Sequence, residues 1–268
     1  MIGYNLLSFT GSPGVGWYMK ANCGKKKVVL ELGGNAGAIV TKDADIDGAV
    51  SKCLYGAFAN NGQTCIHTQR IYVEADAYDE FESKFITAVE TMKIGAPEEA
   101  DTDMASMIDE KNAIRLKGWI DEDVEKGAKI LTGGEQKGTY MEPTVLTNTN
   151  PSMKCASEEA FGPIVTLEKY DDFKTVVAQV NDSDFGLQAG LFSDDWPQIN
   201  YAYQHLHVGG LVINDVPTFR ADHLPYGGVK DSGIGREGPK YAILDMMEPR
   251  VLMLDDRCLL YTSPSPRD

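Results

Sequence analysis

Cys65 is the residue of this 268-residue sequence with the clearest potential for covalent chemistry. It lies in the polar stretch Asn61-Gly-Gln-Thr-Cys65, where a thiol is more exposed than one in an apolar helix, such as Cys53. A reactive thiol needs partial exposure and a local field that favours its thiolate form. The surrounding residues alone leave two interpretations open, a nucleophile and an inert thiol.

Glu31 is a second candidate, because it ends the apolar run at residues 28–30 and is followed closely by Gly33 and Gly34. Glycine has no Cβ, so this pair permits a close approach of the backbone to another group. A surface glutamate would not require such an approach. Glu31 is therefore either a functional carboxylate or an ordinary residue at the end of a strand.

The glycine-rich turn between Gly11 and Gly16 is a candidate phosphate site. It is not a Walker A loop, because Trp17 stands where a lysine should follow, and Met19 replaces the third glycine of the dinucleotide fingerprint. A helix N-terminus after such a turn can still hold a phosphate through its unpaired backbone N–H groups. The alternative is a plain turn between a strand and a helix.

Alternating strands and helices must position these residues. Apolar spacing and turn residues predict helices at 15–21, 43–59, 78–92, 111–126, 173–180 and 239–246. Strands are expected at 6–9, 27–30, 38–40, 70–73, 129–131, 187–192, 211–213 and 251–254. This alternation predicts an α/β fold with a mostly parallel sheet. The acidic segment 97–109 is expected to be a solvated loop.

Charge and cysteine content exclude several classes of partner. The formal net charge of −15 repels phosphate backbones, so no nucleic-acid partner is expected. No apolar run spans a bilayer and no secretory signal begins the chain, so no membrane partner is expected either. Five scattered cysteines without a C-x-x-C pair indicate free thiols and a cytoplasmic location. His205 and His207 would share one face of a strand, but they lack further ligands, so no metal is expected.

Five motifs, taken together, resemble those of the aldehyde dehydrogenase superfamily and occur in the same order. They are Phe9-Thr-Gly-Ser12, Glu31-Leu-Gly-Gly34, Gly62-Gln-Thr-Cys65, Glu158-Glu-Ala-Phe-Gly-Pro163 and Tyr226-Gly-Gly-Val-Lys-Asp-Ser-Gly233. Cys65 follows Glu31 by 34 residues, which is the family's separation of its two signature motifs. The resemblance extends from near residue 1 to about residue 254. Residues 226–238 are most similar to the branch of lactaldehyde, succinate-semialdehyde and non-phosphorylating glyceraldehyde-3-phosphate dehydrogenases.

The resemblance implies the NAD(P)-dependent oxidation of an aldehyde to a carboxylic acid. Cys65 matches the family's nucleophile, which forms a thiohemiacetal and then a thioester, and its backbone N–H matches part of the oxyanion hole. Glu31 matches the general base that activates the hydrolytic water. The residues that the resemblance assigns to NAD or NADP are Thr10, Gly11, Ser12, Leu32, Gly33, Glu159 and Phe161.

Two further residues are candidates for contact with the substrate. Arg220 corresponds to the family loop that closes the aldehyde entrance, and an arginine fork is suited to a carboxylate or phosphate, which would make the aldehyde anionic. A surface arginine paired with Asp222 is the alternative. His67, two residues after the candidate nucleophile, either shapes the substrate pocket or caps the next strand.

The resemblance also implies a division of the chain and an α/β, aldehyde dehydrogenase-like fold with Rossmann-like parallel sheets and an incomplete cofactor domain. Residues 1–33 would be the C-terminal remnant of the cofactor-binding domain and residues 34–233 the catalytic domain. Residues 234–257 would hold a C-terminal helix and an oligomerisation strand. The tail at 258–268 resembles the translation of a sequencing-library adaptor and is expected to be artefactual. Such a fragment is expected to be inactive alone, and the complete enzyme to be a homodimer or homotetramer.

Two rival functions remain open at this point. An acylating relative would pass the thioester to coenzyme A, but a retained base at Glu31 favours hydrolysis instead. A non-catalytic binding protein on the same scaffold is the other rival. The presence of Cys65 together with Glu31 argues against it, because neither residue is needed without chemistry.

Overall fold

The computed structural model describes residues 5–255, which form an α/β fold. The strands are β1 (Leu6–Thr10), β2 (Lys27–Glu31), β3 (Ala36–Val40), β4 (Thr68–Glu74), β5 (Lys129–Thr132), β6 (Gln136–Lys137), β7 (Tyr140–Met141), β8 (Thr144–Thr147), β9 (Ile164–Tyr170), β10 (Phe185–Gly186), β11 (Gln188–Phe192), β12 (Gly210–Ile213), β13 (Val229–Lys230) and β14 (Gly233–Ile234). The helices are α1 (Pro13–Asn22), α2 (Ile46–Phe58), α3 (Ala75–Glu90), α4 (Glu110–Glu125), α5 (Lys154–Ser157), α6 (Phe173–Asn181), α7 (Trp196–His205) and α8 (Pro239–Met246). A 3-10 helix covers Ala59–Gly62.

A seven-stranded sheet is the centre of the fold, with the strand order β12-β11-β3-β4-β9-β8-β5. Its neighbouring strands are parallel except for β5, which pairs antiparallel with β8. Every residue of β3 is buried, as expected for a parallel strand that helices cover on both faces. This sheet confirms the predicted α/β class.

Helices cover the two faces of this sheet with separate apolar cores. On one face, α2 and α3 pack their apolar residues together, and the rings of Phe81 and Phe85 stack with their centroids 5.5 Å apart. On the other face, α6 and α7 pack against β3 and β11. The N-terminus of α2 is capped by Asp45, which accepts a hydrogen bond from the backbone N–H of Gly48. The large sheet is therefore packed on both faces.

A smaller sheet has the order β1-β2-β14, so β2 is its central strand. β1 and β2 are parallel with α1 between them in the chain, and Thr10 pairs with Glu31. β14 pairs antiparallel with β2 and sets Gly233 opposite Glu31. The small sheet thus combines residues before position 33 with residues near position 233. The domain boundaries at these positions stay predictions.

The structure differs from the sequence-based expectation at α7. His205 and His207 were expected on one face of a strand, but His205 is the last residue of α7. Its ring stacks on Tyr201 one helical turn earlier, with centroids 3.9 Å apart. The helix forms because Ala202 and its partly buried neighbours pack against the core under β3 and β11. Within residues 5–255, no group of three or more His, Cys, Asp or Glu side chains is arranged to hold a metal ion.

The segment 97–109 is also less solvated than expected. Its acidic part, residues 98–103, is mostly exposed, but Met104 and Met107 are buried. Met104 forms a bridge with Ile94 and joins the core beside α3. The apolar residues at the end of the segment therefore tie it to the body of the protein.

The prediction of a strand at 251–254 is wrong, because the structure shows no strand there. Residues 247–255 form neither helix nor strand, and Val251, Leu252 and Met253 are more than four-fifths exposed. A strand needs a neighbour to accept its backbone hydrogen bonds, and none of the described strands pairs with this segment. A role in oligomerisation stays a prediction. The tail at 258–268 lies outside the described residues, and among those described no helix is long and apolar enough to cross a membrane.

Candidate active site

The loop before Cys65 makes a sharp turn at three consecutive residues with left-handed backbone conformations. Asn60 and Asn61 have φ values of 51° and 57°, and Gly62 has a φ of 66°. Asparagine tolerates this region better than most residues, and glycine tolerates it freely. A Cβ on Gly62 would collide with the carbonyl oxygen of Gly162. Such strain is concentrated where a structure must aim a functional group.

Polar side chains of the loop anchor it to the segment that follows α3. Asn61 Nδ2 donates to the carbonyl of Ser106 at 2.6 Å, and its Oδ1 accepts from the backbone N–H of Ala105 at 3.1 Å. Gln63 Oε1 accepts from the N–H of Ile108 at 2.9 Å. The segment that was expected to be a solvated loop therefore fixes the position of Cys65. Sequence reasoning assigned no role to Asn61 or Gln63.

Cys65 lies at the end of this loop and is partly buried. Its carbonyl packs so closely on Gly34 that any side chain at position 34 would collide with it. Its Sγ lies 3.3 Å from the hydroxyl of Tyr226. Burial raises the pKa of the Cys65 thiol, Tyr226 lowers it by hydrogen bonding, and Glu31 and Glu159 raise it through their charges.

The other described cysteines have different surroundings. Cys53 and Cys155 are buried, and burial raises the pKa of each thiol far above its ordinary value. Cys23 follows the end of α1, and its Sγ lies 3.2 Å from the carbonyl of Lys20. Only Cys65 of these four lies beside two carboxylates and a phenol.

Glu31 is the last residue of β2, is 3% exposed, and has no hydrogen-bond partner among the described residues at either carboxylate oxygen. Its pKa is raised to about 8, chiefly by burial and also by the charge of Glu237, while the charges of Arg236 and Arg220 act in the opposite direction. A Cβ on Gly227 would lie 2.8 Å from Oε1, so glycine is needed beside the carboxylate. A buried carboxyl group with such a pKa suits proton transfer near neutral pH.

Glu159 and Phe161 lie on the loop between α5 and β9. Glu159 Oε1 accepts a hydrogen bond from the backbone N–H of Gly34 at 2.8 Å, and a Cβ on Gly33 would lie 2.7 Å from its Oε2. Phe161 has a φ of 51° and leaves 41% of its surface exposed. An aromatic ring held in solvent on a left-handed backbone is an uncommon arrangement that favours a binding role.

The N-terminus of α1 lies next to Glu31. The N–H of Gly11 donates to the carbonyl of Glu31 at 3.1 Å, and Thr10, Gly11 and Ser12 are exposed. Ser12 occupies the N-cap position, yet its hydroxyl makes no capping hydrogen bond. This end of a ten-residue helix presents free N–H groups and a positive dipole end, which suit a phosphate.

Leu32 and Gly33 are buried, so neither presents an open surface to a cofactor. Leu32 packs under α1 and occupies the space that a Cβ on Gly16 would need. Gly33 lies between Glu159 and Phe185. The two residues therefore bring α1 and the Glu159 loop close to the end of β2.

His67 is buried beside Gly62, behind the loop that carries Cys65. Burial lowers the pKa of its imidazole to about 4, so the ring is neutral at physiological pH. The ring makes no hydrogen bond with β4, which argues against its role as a strand cap. Its contact with Gly62 suggests that it supports the loop from behind.

Arg220 forms the ion pair with Asp222 that the sequence left as an alternative, and it forms a second, closer ion pair with Glu237. Its Nη2 lies 2.7 Å from Oε2 of Glu237, whereas its Nε lies 3.7 Å from Oδ1 of Asp222. The guanidinium also stacks over the ring of Tyr226 at 4.4 Å from the centroid. Arg220 is exposed, and the ring of Tyr226 links it to the site, because the hydroxyl of Tyr226 reaches Cys65.

Two polar side chains at the start of β4 join the segments around the site. Gln69 Nε2 donates to the carbonyl of Glu158 at 2.7 Å, and its Oε1 accepts from the N–H of Ala160 at 3.0 Å. The buried Arg70 donates through Nη2 to the carbonyl of Asn35 at 2.8 Å. These contacts fix the segments that carry Glu31 and Glu159, and neither residue was singled out from the sequence.

A comparison with protein families gives one match that covers most of the chain, the "Aldehyde dehydrogenase family" over residues 3–252. A 3-sulfolactaldehyde dehydrogenase of Priestia megaterium is 47% identical over 251 residues, which cover 94% of this chain and 53% of the relative. A lactaldehyde dehydrogenase of Methanococcus aeolicus is 39% identical over 253 residues, which cover 94% of this chain and 54% of the relative.

Solved structures agree with this match. Aldehyde dehydrogenase 21 from Physcomitrella patens, in complex with the reaction product succinate, superposes with a TM-score of 0.90 at 48% identity, over 91% of this chain and 51% of that one. Glyceraldehyde-3-phosphate dehydrogenase GapN from Methanocaldococcus jannaschii, complexed with NADP, has a TM-score of 0.88 at 34% identity, over 90% and 53%. The chain thus spans about half the length of the proteins that it matches.

Proposed function

Since the chain belongs to the aldehyde dehydrogenase family, we propose that it is the C-terminal portion of an enzyme that oxidises an aldehyde to a carboxylic acid with NAD or NADP. The observation that carries this proposal is the convergence of a strained cysteine loop and a buried, unpaired glutamate. The charge of Glu31 acts on the thiol of Cys65, although Glu31 ends β2 and Cys65 lies on the loop before β4. A strained backbone and a buried carboxylate without hydrogen-bond partners among the described residues are both unfavourable for folding, which supports a chemical role for the two residues.

Cys65 is the nucleophile in this proposal. Its thiolate adds to the carbonyl carbon of the aldehyde, and the electron pair of the C=O bond moves to oxygen to give a thiohemiacetal oxyanion. The backbone N–H of Cys65 is one donor to that oxyanion, because it belongs to the same residue as the attacking sulfur. Loss of a hydride from the same carbon leaves an acyl group on Sγ as a thioester.

Glu31 is the general base of the second half of the reaction. Its carboxylate takes a proton from a water molecule, and the resulting hydroxide adds to the thioester carbon. Cys65 then leaves as a thiolate, and the carboxylic acid is released. Burial favours this role because it raises the pKa of Glu31 to about 8, so the ionised form binds a proton readily.

The residues around Glu31 fit a nicotinamide cofactor. The free hydroxyl of Ser12 and the N-terminus of α1 suit its pyrophosphate, and the exposed ring of Phe161 beside Glu159 suits a planar ring and a ribose. When bound there, NAD or NADP accepts the hydride. Thr10 and Gly11 pair with the end of β2, so they lie next to the same site.

The aldehyde is proposed to be anionic. Arg220 is a partly exposed cation stacked on Tyr226, whose hydroxyl reaches Cys65, and its planar fork can hold a carboxylate, sulfonate or phosphate. The names of the relatives agree with this class, since one acts on 3-sulfolactaldehyde and one is a complex with succinate. To bind such a group, Arg220 would exchange part of its contact with Glu237 for the substrate.

The chain alone is proposed to be inactive. Its relatives are about twice as long, so half of the family's residues, including cofactor contacts, would lie outside it. The purified 268-residue chain should form no NADH with an aldehyde and NAD, whereas the full-length protein should. Turnover by the chain alone would contradict this part of the proposal.

The proposal is tested by aldehyde-dependent NADH or NADPH formation in the full-length protein, with and without coenzyme A. Cys65→Ser should abolish the signal, and Cys23→Ser is the matched control that should retain it. Hydrolysis requires that coenzyme A be dispensable and that the free acid be the product. A strict requirement for coenzyme A would indicate an acylating enzyme, and full activity of Cys65→Ser would refute the proposal.

A further inference from the structure

Tyr226 has a defined place in the site that none of the assignments above uses. It lies between β12 and β13, and its backbone forms a bridge with Glu237, in which the N–H of Glu237 donates to the Tyr226 carbonyl at 2.6 Å. The residue is almost fully buried. Its hydroxyl ends 3.3 Å from Sγ of Cys65, within the range of a hydrogen bond to sulfur. The contact joins residues that are 161 positions apart.

The direction of this hydrogen bond follows from the protonation state of the two groups. Burial raises the pKa of Tyr226 well above its ordinary value, so the phenol keeps its proton at any pH at which the enzyme works. A thiolate has no proton to donate. Once Cys65 is ionised, Tyr226 must therefore be the donor and Sγ the acceptor.

The thiolate of Cys65 needs such a donor because its other surroundings disfavour the ionised form. The charged groups that face Cys65 are the carboxylates of Glu31 and Glu159, and both raise the pKa of the thiol, as does burial. Against them act the hydroxyl of Tyr226 and the backbone N–H of Cys65. A hydrogen bond to an ionised group is stronger than one between neutral groups.

Arg220 fixes the orientation of this donor. Its guanidinium lies 4.4 Å from the centroid of the Tyr226 ring, on the face of the ring, and its charge acts on Tyr226 in the direction that makes the phenol a stronger acid. The ring is held by this stack on one side and by the bridge to Glu237 along its backbone. The hydroxyl is therefore aimed at Sγ before any substrate arrives.

We propose that Tyr226 is a further catalytic residue, whose hydroxyl donates a hydrogen bond to the Cys65 thiolate and so stabilises and orients the nucleophile. The inference rests on the proposed role of Cys65 as the nucleophile. It assigns to the tyrosine of the Tyr226-Gly-Gly motif a chemical function that a phenylalanine could not perform.

The test is the pH dependence of alkylation of Cys65 in the full-length enzyme, measured as the rate of inactivation by iodoacetamide with peptide mapping. Tyr226→Phe removes only the hydroxyl and should shift the midpoint of the profile upward by about one pH unit. The rate below both midpoints should then fall about tenfold. Tyr170→Phe is the matched control, because it also loses a buried hydroxyl, one that bonds with the carbonyl of Val40 at 3.4 Å, and its profile should not move.

A second variant should shift the midpoint of the alkylation profile in the opposite direction. Replacement of Tyr226 by 3-fluorotyrosine keeps the hydroxyl and makes it a stronger acid, so the midpoint should shift downward. An unchanged profile in both variants, with both proteins folded as judged by their melting temperatures, would overturn the inference. Failure of the proposed function is distinguishable, because it would appear as aldehyde oxidation that survives in Cys65→Ser.

Discussion

Two buried carboxylates of this protein have opposite surroundings. Asp123 on α4 is fully buried, and its oxygens accept hydrogen bonds from the backbone N–H groups of Lys154 at 3.1 Å and Cys155 at 2.8 Å. Glu31 on β2 is nearly as buried, but neither of its oxygens has a hydrogen-bond partner among the described residues. Asp123 caps the short helix α5 and so stabilises the fold. Burial of Glu31 without hydrogen bonds to the described residues is unfavourable for folding, and we propose that the residue is kept for its part in the reaction.

The comparison shows that burial alone does not indicate function. A buried carboxylate with its hydrogen bonds satisfied belongs to the structure, whereas one left without partners keeps a raised pKa and an affinity for a proton. The glycine beside Glu31 supports the same distinction, because the absence of a side chain at Gly227 leaves room next to Oε1. The two carboxylates should therefore respond to substitution in opposite ways.

The largest expected effect is the loss of turnover in Glu31→Gln. The amide keeps the shape of the side chain but cannot take a proton from water, so thioester hydrolysis should slow by about 10²- to 10⁴-fold. Acylation does not need this base, so a first burst of NADH should survive better than steady-state turnover. Stopped-flow absorbance measures both phases. Normal steady-state turnover would show that Glu31 is not the base.

Asp123→Asn should have the reverse effect, a loss of stability with little change in turnover per folded molecule. The amide can accept only one of the two backbone hydrogen bonds well, so the free energy of unfolding should fall by about 3 kcal/mol. Urea unfolding of the full-length enzyme checks the stability, and the assay below the transition checks the activity. A large loss of kcat with unchanged stability would remove the distinction between the two carboxylates.

Arg220→Ala tests whether the cation near Glu31 also binds substrate. Loss of a charge-assisted contact costs about 2 kcal/mol, so the KM for succinate semialdehyde should rise about thirtyfold. The KM for propanal, a neutral aldehyde, should change little. Asp222→Asn is a useful control, since it removes the weaker ion pair at 3.7 Å and leaves Arg220 in place. Equal effects on both aldehydes would reject an anion-binding role.

The smallest expected effect is on the pH dependence of stability. The pKa of Glu31 is about 8 in the folded protein and 4.5 in its ordinary state, so the folded state holds a proton that the unfolded state has lost between these values. Stability should therefore fall as pH rises toward 8. Glu31→Gln has no such titration, so the melting temperature of this variant should rise relative to that of the unchanged protein as pH increases from about 5 to about 8. A constant difference would contradict the raised pKa.

Much of the fold could be predicted from local patterns. The apolar spacing of α2 and α3 and the short runs of β2 and β3 appear where the sequence indicates them, within a few residues. Other elements depend on contacts between distant residues. β9 lies in the middle of the large sheet between β4 and β8, and α7 begins with Trp196-Pro197 and has few buried residues of its own. Both were missed.

The candidate site divides in the same way. Cys65 and Glu31 could be predicted because their motifs are local in the sequence. The hydroxyl of Tyr226 on Sγ, and the anchoring of Asn61 by the segment after α3, could not be predicted, because each contact joins distant parts of the chain. The sequence left His67 either near the substrate or as a cap of the next strand, whereas the folded chain buries it beside Gly62. Only the folded backbone determines which side of a loop faces the core.

The most direct test of the account is mass spectrometry of the Glu31→Gln enzyme after it is mixed with NAD and an aldehyde. The account predicts that an acyl group accumulates as a thioester on the peptide that contains Cys65, because attack proceeds and hydrolysis does not. Asp123→Asn, treated in the same way, should show no adduct. An acyl group on another cysteine, or rapid turnover with no adduct on Cys65, would contradict the pairing of Cys65 with Glu31.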